Sequence, residues 1–119
     1  MVAFDVLGSA VRRRILELLG GGAMSSGEIV EAVQREVDIS QPAVSQHLRV
    51  LRETGFATVR AEGQRRVYEI AATPPIAEIE TWLDRLRQGW SRRLDALETE
   101  VARGKRDRRL AKQPSRRRA

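Results

Sequence analysis

The stretch "SQPAVSQHLRVLRETG", Ser40 to Gly55, marks out a helix bounded at both ends. Ser40 suits a helix N-cap, where a hydroxyl accepts from the free N–H groups of the first turn. Pro42 falls in that first turn, where a missing N–H has no helical partner to lose. Gly55 is a natural stop, because it enters the left-handed conformation that closes a helix. Between these limits Val44, Leu48 and Leu51 recur at i, i+4 and i+7 and should face a core. The opposite stripe is Gln41, Ser45, Arg49 and Arg52, with Gln46 alongside.

The neighbouring segments supply the rest of such a core. Val2 to Leu7 reads as a short apolar turn. Ser9 caps "AVRRRILELL", in which Val11, Ile15, Leu18 and Leu19 recur at helical spacing, and "GGG" at Gly20 to Gly22 stops it. Ser25 or Ser26 caps "GEIVEAVQREV"; Ser25 with Glu28 has capping-box spacing, and Ile29, Val30 and Val33 form the apolar face. After the bounded helix come "FATVRA" and "RRVYEI", two β-branched runs joined by "EGQ", which predict a hairpin. Thr73, Pro74 and Pro75 mark a break. From Ile76 a long helix is expected to about Arg103, with Ile76, Ile79, Leu83, Leu86, Trp90, Leu94, Leu97 and Val101 on one stripe.

A chain of 119 residues suits one domain, here 1–103, with a basic tail 104–119 expected to be disordered. There is no cysteine, which excludes disulfides, thiol redox switching and zinc-finger ligand sets. "MVAFDVLGSAVRRR" places its charges after its apolar residues, unlike a signal peptide. No apolar run approaches the roughly 20 residues of a membrane-spanning helix. A cytoplasmic protein with no membrane partner is the expectation. The net charge of +6 is unevenly placed. From Arg103 onward nine Lys/Arg and one acid give +8, so Met1 to Ala102 carries 13 Lys/Arg and 15 Asp/Glu, a net of −2. Any affinity for nucleic acid must therefore come from charge on particular elements.

Helix, short turn, helix and hairpin is the order of a winged helix-turn-helix. Gln and Arg are the side chains best suited to bidentate pairing with adenine and guanine edges in the major groove. On the Ser40 helix they sit opposite the core face, and no acid interrupts them before Glu53. Arg60, Arg65 and Arg66 flank the hairpin turn and Gln64 lies in it, which fits a wing on the phosphate backbone or in the minor groove. A solvated amphipathic helix and a charge-protected edge strand would carry similar charge, but neither explains arginine directly after such a helix. His47, the only histidine, has no His or Cys partner for a metal, and at i+2 from Ser45 it points about 200° away, so no catalytic pair forms. It sits at the border of the buried face, in a structural or DNA-facing position. No nucleophile elbow, P-loop or metalloprotease pattern is present, and no catalytic residue is expected.

The segments "LGSAVRRRILELL", "SSGEIVEAV" and "SQPAVSQHLRVLRETGFATVRAEGQRRVYEI", with the final long helix, resemble the ArsR/SmtB-like (arsenic-repressor) family of bacterial transcription factors. The resemblance covers about Asp5 to Arg103. It implies a mainly α winged helix-turn-helix fold with about five helices and a two-stranded wing. It also implies a homodimer that represses by occupying a double-stranded DNA operator. The DNA-binding residues would be Ser40, Gln41, Ala43, Ser45, Gln46, His47 and Arg49 on the recognition helix, with Arg60, Gln64, Arg65 and Arg66 on the wing. The dimer interface would use the N- and C-terminal helices through Phe4, Leu7, Ile79, Leu83, Leu86, Trp90, Leu94 and Leu97. The family's usual metal sites use cysteine pairs, or His with acids on the last helix. Neither set is present here, so no metal or cofactor is expected, and the effector is left open. Autoregulation is an arrangement the resemblance implies for such a repressor; the alternatives are a protein-interaction module on a degenerate winged helix, or a repressor sensing a small apolar ligand at the dimer interface.

Overall fold

A computed structural model describes residues 2–116, with side chains to Leu110. The elements run α1 (Val2–Leu7), α2 (Ala10–Leu19), β1 (Met24–Ser25), α3 (Ser26–Glu36), α4 (Gln41–Glu53), β2 (Ala57–Glu62), β3 (Arg65–Ile70) and α5 (Ala77–Arg116). They form two units, a packed body up to Ile79 and the remainder of α5 from Glu80 on.

The helix boundaries follow from side chains that satisfy the free backbone groups of each end. Ser9 caps α2 by accepting from the Arg12 N–H at 3.2 Å. Ser25 caps α3 in a full capping box. Its hydroxyl accepts from the Glu28 N–H at 3.2 Å, and its own N–H donates to Glu28 Oε1 at 2.8 Å. Ser40 caps α4, accepting from the Ala43 N–H at 3.2 Å, with Pro42 in the first turn. At the other end of α4 the Phe56 N–H donates to the Leu51 carbonyl at 2.9 Å, and the Gly55 N–H to that of Arg52 at 3.2 Å. With Gly55 at φ 84° this is a Schellman closure, and the buried side chains of Leu51 and Phe56 stand at its two hydrophobic positions. The sheet therefore starts at a fixed angle from the end of α4.

The hairpin pairs β2 with β3 from Ala57↔Ile70 to Glu62↔Arg65, which leaves Gly63 and Gln64 as a two-residue turn. Gly63 has φ 63° and Gln64 does not take positive φ, the sign pattern of a type II′ turn, whose twist matches the strands. The Ala71 N–H donates to the Phe56 carbonyl at 3.0 Å and closes the base. β1 adds a third strand, antiparallel to β3 through Met24↔Tyr68 and Ser25↔Val67, in the order β1-β3-β2. Two residues are too short for an alternating pattern, so β1 was not predicted.

The core gathers Ile15 and Leu19 of α2, Ile29 and Val33 of α3, and Val44, Leu48 and Leu51 of α4. Ala3, Val6, Phe56, Ala57 and Tyr68 complete it. Among the described residues Ser25 is the one buried polar residue, and its hydroxyl is the capping group just described. Arg14 braces α2 to α3, its Nε 2.8 Å from Glu36 Oε1 and its Nη2 3.0 Å from Oε2. That partner raises the Arg14 pKa and lowers the Glu36 pKa, so both stay charged.

One expectation needs correcting. The charge pattern predicts a disordered tail from residue 104, but α5 continues through Gly104 to Arg116, some way beyond Arg103; residues 117–119 lie outside the described residues. Single-sign charge argues against burial in a core, yet a helix satisfies its own backbone without one. From Gly104 to Leu110 most residues are the good helix formers Arg, Lys and Leu, and the lone Gly costs only about 1 kcal/mol; Pro114, with no N–H to donate, costs about 3 kcal/mol.

Candidate nucleic-acid interface

Core packing decides which way α4 faces. Val44, Leu48 and Leu51 are at most 1% exposed, which pins one side of the helix and leaves Gln41, Ser45, Gln46 and Arg49 in solvent. The flanks of the exposed side differ. Towards the sheet, Ser45, Gln46, Arg49 and Arg52 border an open groove of about 450 Å³, closed opposite by Arg66 and Tyr68 of β3 and Ser26 of α3. On the other flank Ala43 and His47 are half-buried, and His47 Nδ1 lies 3.3 Å from Arg12 Nη1 of α2. Burial lowers the His47 pKa, and the nearby Arg12 charge lowers it further, so the ring is held neutral. The expectation that His47 sits at the border of the buried face matches this placement. Arg12 as its partner was not foreseen, because only the tertiary fold brings α2 and α4 together.

The wing cations are in three different states. Arg60 is held by two carboxylates, Glu62 Oε2 with its Nη2 at 2.9 Å and Glu69 Oε1 with its Nη1 at 3.0 Å, which raises its pKa. Arg65 reaches back to α3, its Nη2 3.2 Å from Glu28 Oε1. Glu28 is a fixed anion there: the Ser25 N–H and hydroxyl lower its pKa, and Arg65 adds to the effect. Arg66 is exposed and makes no ion pair among the described residues. On α4, Arg49 pairs loosely with Glu53 at 3.5 Å, one helical turn on. Gln64 is exposed at the tip.

Tyr68 and Ser26 were not among the predicted site residues, because they reach the groove only through the pairing of β1 with β3. Of the residues expected at a dimer interface, Leu7 and Ile79 pack against the core of their own chain. Phe4 is half-buried in α1. Leu83, Trp90, Leu94 and Leu97 are exposed on α5, and Leu86 is half-exposed. Among the described residues no three metal-ligating side chains are gathered, and no helix is long and apolar enough to cross a membrane.

A helix-turn-helix domain family model matches residues 7–60, the span from the end of α1 to the middle of β2. The chain is 39% identical over 92 residues to the HTH-type transcriptional regulator Rv2034 of Mycobacterium tuberculosis, covering 77% of this chain and 78% of that one. It is 34% identical over 70 residues to the transcriptional repressor SdpR of Bacillus subtilis, covering 59% and 73%. Among solved structures, the homodimeric winged helix-turn-helix domain of Mb0332 from Mycobacterium bovis, a possible ArsR-family transcriptional regulator, aligns with a TM-score of 0.52. Its identity is 27%, over 76% of this chain and 75% of that one. Fold, site geometry and relatives agree: this chain belongs to the ArsR/SmtB-like family of winged helix-turn-helix DNA-binding transcriptional regulators.

Proposed function

We propose that the chain acts as a homodimeric repressor, reading operator bases in the major groove with α4 and holding the backbone or minor groove with the β2–β3 wing. One observation carries the DNA face. The side of α4 turned from the core presents Gln41, Ser45, Gln46 and Arg49, with no carboxylate before Glu53, and Arg66, which has no ion-pair partner among the described residues, stands across the adjoining groove. Gln and Arg supply the bidentate geometry for base edges, and wing arginines supply phosphate contacts without sequence preference. Repression is the activity named for the relative from Bacillus subtilis.

The dimer reading is supported by α5. Trp90, Leu94, Leu97 and Val101 are each more than half exposed on one stripe. An apolar stripe of this kind marks an interaction surface. A second copy meeting it about a two-fold axis would set two α4 helices on half-sites about 34–36 Å apart. The related domain from Mycobacterium bovis is itself homodimeric. In this reading Phe4 and Leu7 join Leu83, Leu86 and the stripe at the interface, and the basic end of α5 lies beyond it.

The test is selection of bound fragments from a genomic library with purified protein, followed by footprinting. A two-fold-related site is expected. Gln46→Ala or Arg49→Ala should weaken that site against random DNA, while replacing Arg66 should weaken all DNA alike. Recovery of fragments no better than random sequence would remove the reading.

A further inference from the structure

Arg12 of α2 sits where α1, α2 and α4 meet. Its guanidinium leaves α2 and donates in three directions. Nε donates to the Val6 carbonyl at 2.8 Å and Nη2 to the Asp5 carbonyl at 3.1 Å, both at the C-terminal end of α1. Nη1 reaches His47 Nδ1 on α4 at 3.3 Å. A guanidinium has five donors and no acceptor. His47 Nδ1 must therefore accept, which places the ring proton on Nε2. No buried side-chain nitrogen or oxygen among the described residues lacks a hydrogen-bond partner. His47 Nε2 has no protein partner among them, so it is not fully buried. Half-buried His47 directly follows exposed Gln46 along α4.

We infer that Arg12 is a positioning residue for DNA binding: it holds His47 in the neutral Nε2–H tautomer, presents that N–H to a phosphate, and ties α1 to the recognition helix. The inference rests on the DNA-facing role proposed for α4. The orientation comes from the geometry of a rigid fork. Two of its donors are committed to α1, so a shift of α1 is passed to the third donor and to the ring. The charge that faces His47 is the Arg12 guanidinium of α2. From α1 the Asp5 and Val6 contacts come through backbone carbonyls, and no carboxylate bonds the ring. A proton added at Nδ1 would abolish the acceptor and set two cations against each other, so the arrangement opens as pH falls.

The chain has a single histidine, so its imidazole nitrogens are read without ambiguity by long-range 1H–15N NMR of the full chain. The Nε2–H tautomer is expected in the wild type above the ring's pKa. Arg12→Met should give a mixture of tautomers and a higher pKa. A wild-type Nδ1–H tautomer, or a ring unchanged by Arg12→Met, overturns the inference. This readout needs no DNA, so it stands apart from the test of the DNA reading.

A double-mutant cycle on the selected operator supplies the second arm. Gln at 47 keeps a distal N–H donor without a ring that must be oriented. Arg12→Met should weaken binding about three- to tenfold with His47 present, the range of one lost hydrogen bond, and much less in the His47→Gln background. The lost charge of Arg12 is common to both backgrounds and cancels. Equal losses would mean that Arg12 acts through its own charge or through α1, and would overturn the positioning role. Should Arg12→Met fail to fold, Arg12→Lys replaces it in both arms, since one ammonium cannot serve two carbonyls and the imidazole in a planar fork.

Discussion

Leu94→Ala tests the proposed dimer on its most exposed apolar residue of the stripe. Fully burying a leucine side chain is worth roughly 1.5–3 kcal/mol relative to leaving it in water. Leu94 is 58% exposed in the single chain, so a partner that covers it completely would gain about 0.9–1.7 kcal/mol per copy on the same scale. A two-fold dimer contains the position twice, so the substitution removes about 1.7–3.5 kcal/mol of association energy. At 1.36 kcal/mol per decade, that is a dimer dissociation constant raised roughly 20- to 400-fold. Alanine is at least as good a helix former as leucine, so α5 itself is not weakened. Sedimentation velocity across a dilution series measures the constant, and circular dichroism checks that helix content is kept. A dissociation constant unchanged within threefold, at unchanged helicity, would show that Leu94 is not at the interface. The stripe would then need another occupant.

Three further outcomes are expected. Leu48→Ala, at a fully buried α4 position, should cost about 2–5 kcal/mol through lost transfer energy and a residual cavity. The melting temperature should drop by about 10 °C or more, measured by calorimetry. The His47 pKa lies below its ordinary value of 6.5 in the folded chain, so the neutral ring contributes stability above that pH. That contribution is lost as pH falls from 6.5 through the folded value, because the unfolded chain then binds the proton first. Urea titrations should show this acid slope in the wild type and a shallower one in His47→Gln. Deleting residues 104–119 should flatten the salt dependence of operator binding if the basic end of α5 touches phosphates; filter-binding or anisotropy titrations over salt measure it, and an unchanged slope would exclude that contact.

Much of the fold is legible in local signals. Ser9, Ser25 and Ser40 start their helices because a hydroxyl at an N-cap competes with water for the same N–H groups wherever the helix sits. Val44, Leu48 and Leu51 are buried as their spacing predicts, which also sets the outward face of α4. What could not be read depends on non-local pairing. β1 exists only because Tyr68 and Val67 are brought beside Met24 and Ser25. The groove and the Arg12–His47 contact likewise join segments far apart in the chain. The end of α5 is hidden from the sequence for another reason: composition signals whether a segment can be buried, not whether its own backbone can be satisfied.

Counting arginines overstates how many wing cations are free for DNA. Arg60 is shared between Glu62 and Glu69, and Arg65 is held by Glu28, itself kept ionised by the α3 capping box. Such exposed pairs add little stability, but they do cancel charge at the surface a phosphate would approach. Arg66 has no such partner among the described residues and stands beside the groove with Tyr68. Each phosphate neutralised on duplex DNA contributes about −0.9 to the slope of log K against log salt. Arg66→Ala should therefore make the slope shallower by about that amount. The pair Arg60→Ala with Glu69→Ala removes a cation and an anion together, and should leave the slope where it was. If the pair variant flattens the slope as much as Arg66→Ala does, Arg60 leaves its carboxylates for a phosphate in the complex. The wing would then bind by exchanging partners at Arg60 as well as through Arg66, which has no ion-pair partner among the described residues.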